Sequence, residues 1–166
     1  KHTVEQYLEI YEKLTNINPE IKFSSDFIIS YPGEEQKDFE DTLKLINKIK
    51  FINSYSFIFS PRPGTTAASY KKIDTTIAKK RLIELQTLLF KYQFQNNEKL
   101  LGKKLNVLIE NKMKDQKRLF GRNMYLTPVI IEGDEKNVGK LVTVNITNFN
   151  QNTLFGKIVN LNYKAA

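Results

Sequence analysis

The chain has 166 residues, a length that suits one large domain or two small ones. Hydrophobic residues at 40% supply a core and exclude a disordered chain, while no apolar stretch approaches a membrane span and no signal-peptide pattern opens the sequence. With no cysteine and one histidine, the chain itself can hold no disulfide, no thiolate-bound cluster and no multi-histidine metal site.

The start Lys1-His2-Thr3, which lacks Met, reads as the middle of something longer or as the boundary of an excised piece. Thr3 and Gln6 have capping-box spacing, and Val4, Tyr7, Leu8, Tyr11 and Leu14 recur with helical period, so a first helix is expected to run to about Ile17 and stop at Asn18-Pro19. Ile21–Ser30 follows as a strand. Its run Phe27-Ile28-Ile29 suits a parallel strand covered on both faces. Tyr31-Pro32-Gly33 breaks it. A second helix then carries Phe39, Leu43, Ile46 and Ile49 on one face, with Glu34, Glu35 and Asp38 near its positive end. A short apolar strand, Tyr55–Phe59, ends at Pro61-Arg62-Pro63-Gly64-Thr65. Asp74 then caps a long third helix with the stripe Ala78, Leu82, Leu85, Leu89 and Tyr92.

Strands alternating with helices imply a parallel sheet, and two strands alone cannot form a stable one, so residues 1–97 read as a piece of a larger α/β barrel or open sheet. Beyond Asn96-Asn97 the pattern changes to short β-branched segments at Leu105–Glu110, Arg118–Asn123, Val129–Glu132, Leu141–Thr147 and Leu154–Val159, punctuated by glycines. That predicts a small antiparallel barrel over residues 98–166. Charge divides at the same place. Residues 1–97 hold 14 Lys/Arg and 12 Asp/Glu, whereas residues 98–166 hold 12 and 6. The basic half is the one expected to meet a polyanion.

Two strand-end motifs carry candidate chemistry. Gly33 and the acidic helix start behind it could admit a ligand close to the backbone, the alternative being a tight turn with an acidic cap. Arg62, fixed between two prolines, suits a carboxylate or phosphate, the alternative being a solvated arginine in a Pro-rich turn. In the basic half, Lys103, Lys104, Lys112, Lys114, Lys117, Arg118, Arg122, Lys140 and Lys157 could line a nucleic-acid face, with Tyr125 and Phe155 stacking on bases. Against this, Phe155 could be core and most lysines plain surface.

The stretch Asp26–Glu34 with Asp38–Leu43, and the stretch Phe57–Thr65 with Ala67-Ala68, resemble the radical-SAM methylthiotransferases, most of all the branch acting on isopentenyladenosine in tRNA. The tail resembles their TRAM domain, through Gly102-Lys103, Leu119-Phe120-Gly121-Arg122, Val138-Gly139-Lys140 and Leu154-Phe155-Gly156. The resemblance covers nearly the whole chain in collinear order, although the family usually has Gly-Phe where this chain has Ser30-Tyr31. It implies an α/β plus all-β protein: the C-terminal portion of a radical-SAM, partial TIM-type barrel over 1–97, then an OB-like β-barrel, TRAM, over 98–166.

It further implies a cytoplasmic transferase that adds a methylthio group to isopentenyladenosine next to the anticodon, with S-adenosylmethionine and two 4Fe-4S clusters in the full-length parent. Because no cysteine is present, this chain alone is expected to bind neither cofactor stably and to be inactive. Ser30, Pro32, Gly33, Glu34 and Arg62 would face the S-adenosylmethionine pocket. Lys103, Lys104, Lys117, Arg118, Arg122, Tyr125 and Lys157 would bind RNA. Its partners would be the tRNA anticodon arm and the parent's N-terminal domains, with no membrane and no DNA. A stand-alone RNA-binding TRAM module, an inactive split-gene product and the ribosomal-protein branch of the family are the alternatives.

Overall fold

A computed structural model describes residues 3–114 and 117–161, the side chains of Asn160 and Leu161 excepted; Lys1 and His2 lie outside the described residues. The chain divides into two compact units, residues 1–89 and 90–166, so the division falls inside a helix, eight residues before the composition change at 97.

The first unit runs α1 (Val4–Ile17), β1 (Asp26–Ile29), α2 (Gln36–Ile49) and β2 (Tyr55–Ile58), then enters α3 (Thr75–Glu98). The local chemistry expected at its helix starts is present. Thr3 and Gln6 close a reciprocal capping box on α1, and Asp74 Oδ1 accepts from the backbone N–H of Thr76 and Ile77 at 2.8 and 3.3 Å. Phe39, Ile46 and Ile49 of α2 are buried, and so are Ala78, Leu85 and Leu89 of α3.

β1 and β2 pair in parallel, Ile29 opposite Ile58. The first strand is shorter than Ile21–Ser30. Before Asp26 the chain is tied down irregularly, by Ile52 N donating to Phe23 O and Ser25 N to Ser54 Oγ, and after Ile29 the left-handed backbone of Ser30 (φ 59°) ends the ladder. Nor is the sheet covered on both faces. Phe27 and Ile29 are buried, but Ile28, Tyr55 and Phe57 are 62%, 67% and 53% exposed. A run of three apolar residues reads the same whether one face or two is covered, so the run alone could not show that one face is left open.

The second unit is a closed five-stranded barrel, β3 (Lys104–Lys112), β4 (Arg118–Asn123), β5 (Pro128–Glu132), β6 (Leu141–Phe149) and β7 (Leu154–Leu161), in the order β3-β4-β5-β7-β6. Four of the five pairings are antiparallel. The fifth, β5 with β7, is parallel, which corrects the all-antiparallel expectation: β6 returns beside β3, and β7 then fills the remaining gap alongside β5. Alternate residues point inward, and Val107, Ile109, Leu119, Val129, Ile131, Val142, Val144, Ile146 and Leu154 form a core at most 1% exposed.

The end of α3 belongs to this unit. Asn97, fully buried, donates through Nδ2 to the carbonyls of Asn150 and Gln151, accepts from Gln93 Nε2, and so closes the barrel beneath the β6–β7 turn. Phe94 packs on Phe149 with ring centroids 5.0 Å apart, and Gln151 Nε2 donates to Phe90 O. Buried amides of this kind are stable only when fully bonded, which is why a polar pair can sit where the stripe of apolar residues ends.

Candidate strand-end site and outer barrel face

Both motifs of the first unit lie where the parallel strands end, and they lie side by side. Phe59 N donates to Ile29 O, and the rings of Tyr31 and Phe59 meet edge-on at 4.9 Å. Ser30, Pro32, Gly33 and Glu34 thus form one loop and Arg62 stands on the neighbouring one. Thr65 donates to Arg62 O through both its N–H and its hydroxyl, at 3.2 and 2.8 Å, fixing the Arg62 backbone while its side chain stays exposed.

Glu34 is neither the helix cap nor a free ligand. Glu35 occupies the cap position of α2 in a box with Asp38. The Glu34 carboxylate instead accepts from Ser30 N at 2.8 Å and from Arg81 Nη1 at 2.7 Å, and Arg81 also reaches Glu34 O at 3.2 Å. Both side chains are largely buried, and the Arg81 guanidinium lies 5.5 Å from the Phe39 ring centroid. Arg81 went unnoticed in the sequence because it sits one residue off the apolar stripe; Ala78, Leu85 and Leu89 share its helix face, a spacing that could have marked it as buried.

The left-handed φ of Ser30 gives a physical reason for glycine at that position, since glycine adopts it without strain. The loop also keeps room for a ligand. A Cβ added at Gly33 would meet nothing within 4 Å, and the buried Ser30 Oγ has no hydrogen-bond partner among the described residues. Ser30 Oγ and the space at Gly33 are thus open to an S-adenosylmethionine group, whereas the Glu34 carboxylate is engaged by Arg81 and the Ser30 amide. Iron–sulfur clusters do not fit, because the chain has no thiolate to hold them.

In the barrel, cross-strand register decides which basic residues meet. Arg118 pairs with Glu132, Glu132 with Lys157, Lys157 with Asn145 and Asn145 with Lys104. These are outward positions, so Arg118, Lys157 and Lys104 lie on one row that winds round the barrel, with Lys104 two strands beyond Lys157. The next row on the same face is Phe120, Ile130 and Phe155, and the third places Arg122 beside Pro128. Arg122 bonds Glu110 and holds its guanidinium 5.1 Å from the Phe120 ring centroid. Phe155 is thus outward and half-buried, not core.

The remaining candidates lie elsewhere. Tyr125 sits in the turn after β4, its N–H bonded to Asn123 Oδ1, and Lys103 precedes β3. Lys117 joins Arg118 on an open cleft of about 810 Å³, whose other wall is Glu132, Asp134 and Glu135. Lys112 of that cleft is bonded to Glu135 at 2.8 Å, which raises its pKa. Asp134 is held below the usual carboxylate range, chiefly by the backbone N–H of Lys136. Arg118 and Glu132 of this cleft are shared with the β4–β5–β7 face.

The two Leu-Phe-Gly motifs explain how that face is made. In β4 and in β7 the leucine enters the core, the phenylalanine points out, and the glycine faces in where strands pass closely. A Cβ on Gly121 would come 2.3 Å from Leu108 O, and one on Gly156 2.4 Å from Val144 Cγ1 and 2.5 Å from Asn145 O. Phe120 and Ile130 could not be singled out in the sequence because facing requires register, and register across β4, β5 and β7 includes the parallel pair.

Residues 98–159 match the TRAM domain. Over 95% of its length the chain is 58% identical to the tRNA-2-methylthio-N(6)-dimethylallyladenosine synthase of Pelagibacter ubique. It is 43% identical over 94% to the protein of that name from the Wolbachia of Culex pipiens, and 40% over 95% to that of Zymomonas mobilis. The chain spans about a third of the length of these curated relatives, 35–36%, and matches their C-terminal part. Among the described residues no helix is long and apolar enough to cross a membrane.

Proposed function

We propose that this chain, which matches the C-terminal part of the radical-SAM tRNA methylthiotransferases along nearly its whole length, is the tRNA-holding end of such an enzyme. The 58% identity over 95% of the chain is the observation that carries this reading. In it, residues 1–97 complete the catalytic barrel and residues 98–166 form the TRAM domain. The whole enzyme adds a methylthio group to isopentenyladenosine beside the anticodon, and the parts outside this chain hold the two 4Fe-4S clusters that generate the radical and supply sulfur.

The chain's own residues have two tasks. Ser30, Pro32 and Gly33, with Arg62 on the adjacent loop, line the S-adenosylmethionine side of the active-site mouth, where strand ends of α/β barrels place their chemistry. Arg81 and Glu34 hold that loop in shape from behind. Arg118, Arg122 and Lys157, with Lys104 further round the row and Lys103, Lys117 and Tyr125 at the periphery, contact the anticodon arm largely through phosphates. Such contacts position the substrate without reading its sequence.

A chimaera tests the reading. The N-terminal two thirds of the Pelagibacter synthase, joined to this chain in place of its own C-terminal part, is expected to methylthiolate tRNA as followed by mass spectrometry of digested nucleosides. A folded, cluster-loaded chimaera that leaves isopentenyladenosine unmodified would overturn it.

A further inference from the structure

We infer that the outer face of β4, β5 and β7 is a stacking platform for unpaired nucleobases, so that the barrel selects single-stranded RNA. This rests on the RNA-binding reading above and names the class of RNA that the site takes.

The face is ordered in three rows. Phe120, Ile130 and Phe155 are cross-strand partners in the middle row. Arg118, Glu132 and Lys157 flank it on one side, and Arg122 and Pro128 on the other. Neighbouring strands are about 4.8 Å apart, so the two phenylalanines stand roughly 10 Å apart across Ile130. Each follows a leucine that is 0% exposed and precedes a glycine that admits no Cβ, which leaves the phenylalanine no route inward. Arg122, anchored by Glu110, lays its guanidinium over Phe120 and adds a second flat surface to the platform.

Flat aromatic and guanidinium surfaces on a sheet can stack only on bases whose faces are free, and a duplex hides those faces. Arg118 and Lys157 stand on the row beside the platform, where the backbone phosphates of a strand laid over it would run. Stacking is tolerant of base identity, so this surface favours unpaired over paired nucleotides and not one sequence over another.

The test uses the whole chain and two labelled RNAs followed by fluorescence anisotropy across a salt series. One is an unstructured strand of about 12 nucleotides, within the usual footprint of a small barrel; the other is a fully paired duplex of equal length. Phe155→Leu and Phe120→Leu, which keep apolar bulk but lose the ring, are each expected to weaken single-strand binding about tenfold. Both should change duplex binding little and leave the salt slope intact, while Phe155→Tyr and Phe120→Tyr retain wild-type affinity. Circular dichroism identifies any variant that fails to fold, and the wild-type chain then decides: it is expected to prefer the unstructured strand to the duplex, and equal or weaker affinity for the strand would overturn the inference.

Leucine variants that are folded and bind both RNAs like wild type, or lose both equally, would overturn the inference while leaving RNA binding standing. Absence of binding to either RNA by the wild type at low salt would instead overturn the RNA-binding reading, and this inference with it.

Discussion

The two sheets of this chain draw on the same residue types and differ in whether they close. The β1–β2 sheet has two strands and free edges, and it leaves Ile28, Tyr55 and Phe57 exposed on one face. The β3–β7 sheet meets itself, has no free edge, and buries every inward apolar side chain that forms its core. Composition alone therefore does not make a strand pair self-sufficient; closure does. The barrel has what it needs to stand by itself, while the first unit presents a surface suited to further strands.

The strongest way to break this contrast is to prevent closure. Gly121→Ala places a methyl group against Leu108 O, a ladder carbonyl that cannot move aside. The expected loss is at least the upper end of the ~1–3 kcal/mol of ordinary overpacking. Urea denaturation of the variant reads it directly, and an unchanged midpoint would mean that the strands do not pass as closely as described.

The first unit is sharpened by Arg81→Met, which leaves the Glu34 carboxylate buried without its cation. Removing one partner of a fully buried pair costs about 3–5 kcal/mol, and because both side chains retain some solvent contact about 2–3 kcal/mol is expected here. The Ser30 amide, which donates to Glu34, should lose hydrogen-exchange protection in the same variant.

On the barrel surface, reversing Arg118, Arg122 and Lys157 together should flatten the dependence of log affinity on log salt by about 2–3 units, at ~0.7–0.9 for each phosphate no longer neutralised. Anisotropy with an anticodon stem-loop measures this, and an unaltered slope would remove these residues from the interface.

The smallest effect concerns Asp74. Its carboxyl is held below the ordinary aspartate value, chiefly by the Ile77 N–H and then by that of Thr76. The stabilisation is present above the unfolded-state value of about 3.9 and is lost as pH falls through the lowered folded-state value. Asp74→Ala should melt slightly below wild type at neutral pH, and the difference should close in strong acid.

Much of the fold was legible because local chemistry fixed it. Thr3–Gln6 and Asp74 announced their helices, and four of the five barrel strands showed as runs containing β-branched residues, while β4 carries none and showed only through Leu119-Phe120 and Gly121. What was hidden depended on partners distant in sequence. The open face at Ile28 and Phe57 could not be told from a covered one, and the parallel β5–β7 pairing leaves no mark in either strand. Arg81 drew no attention in the sequence, because its carboxylate lies 47 residues away. The Leu-Phe-Gly repeats were visible as motifs, yet only the register of three strands shows that they put two rings on one face.

The contrast between the closed and open sheets is tested most directly by expressing residues 90–166 and residues 1–89 separately and recording near-ultraviolet circular dichroism through a urea titration. The C-terminal piece begins at residue 90 because Phe90, Gln93, Phe94 and Asn97 close the barrel. Residues 90–166 are expected to give a native spectrum and one cooperative transition, while residues 1–89 give neither. A monomeric 1–89 that unfolds cooperatively, or a 90–166 without fixed tertiary structure, would contradict it.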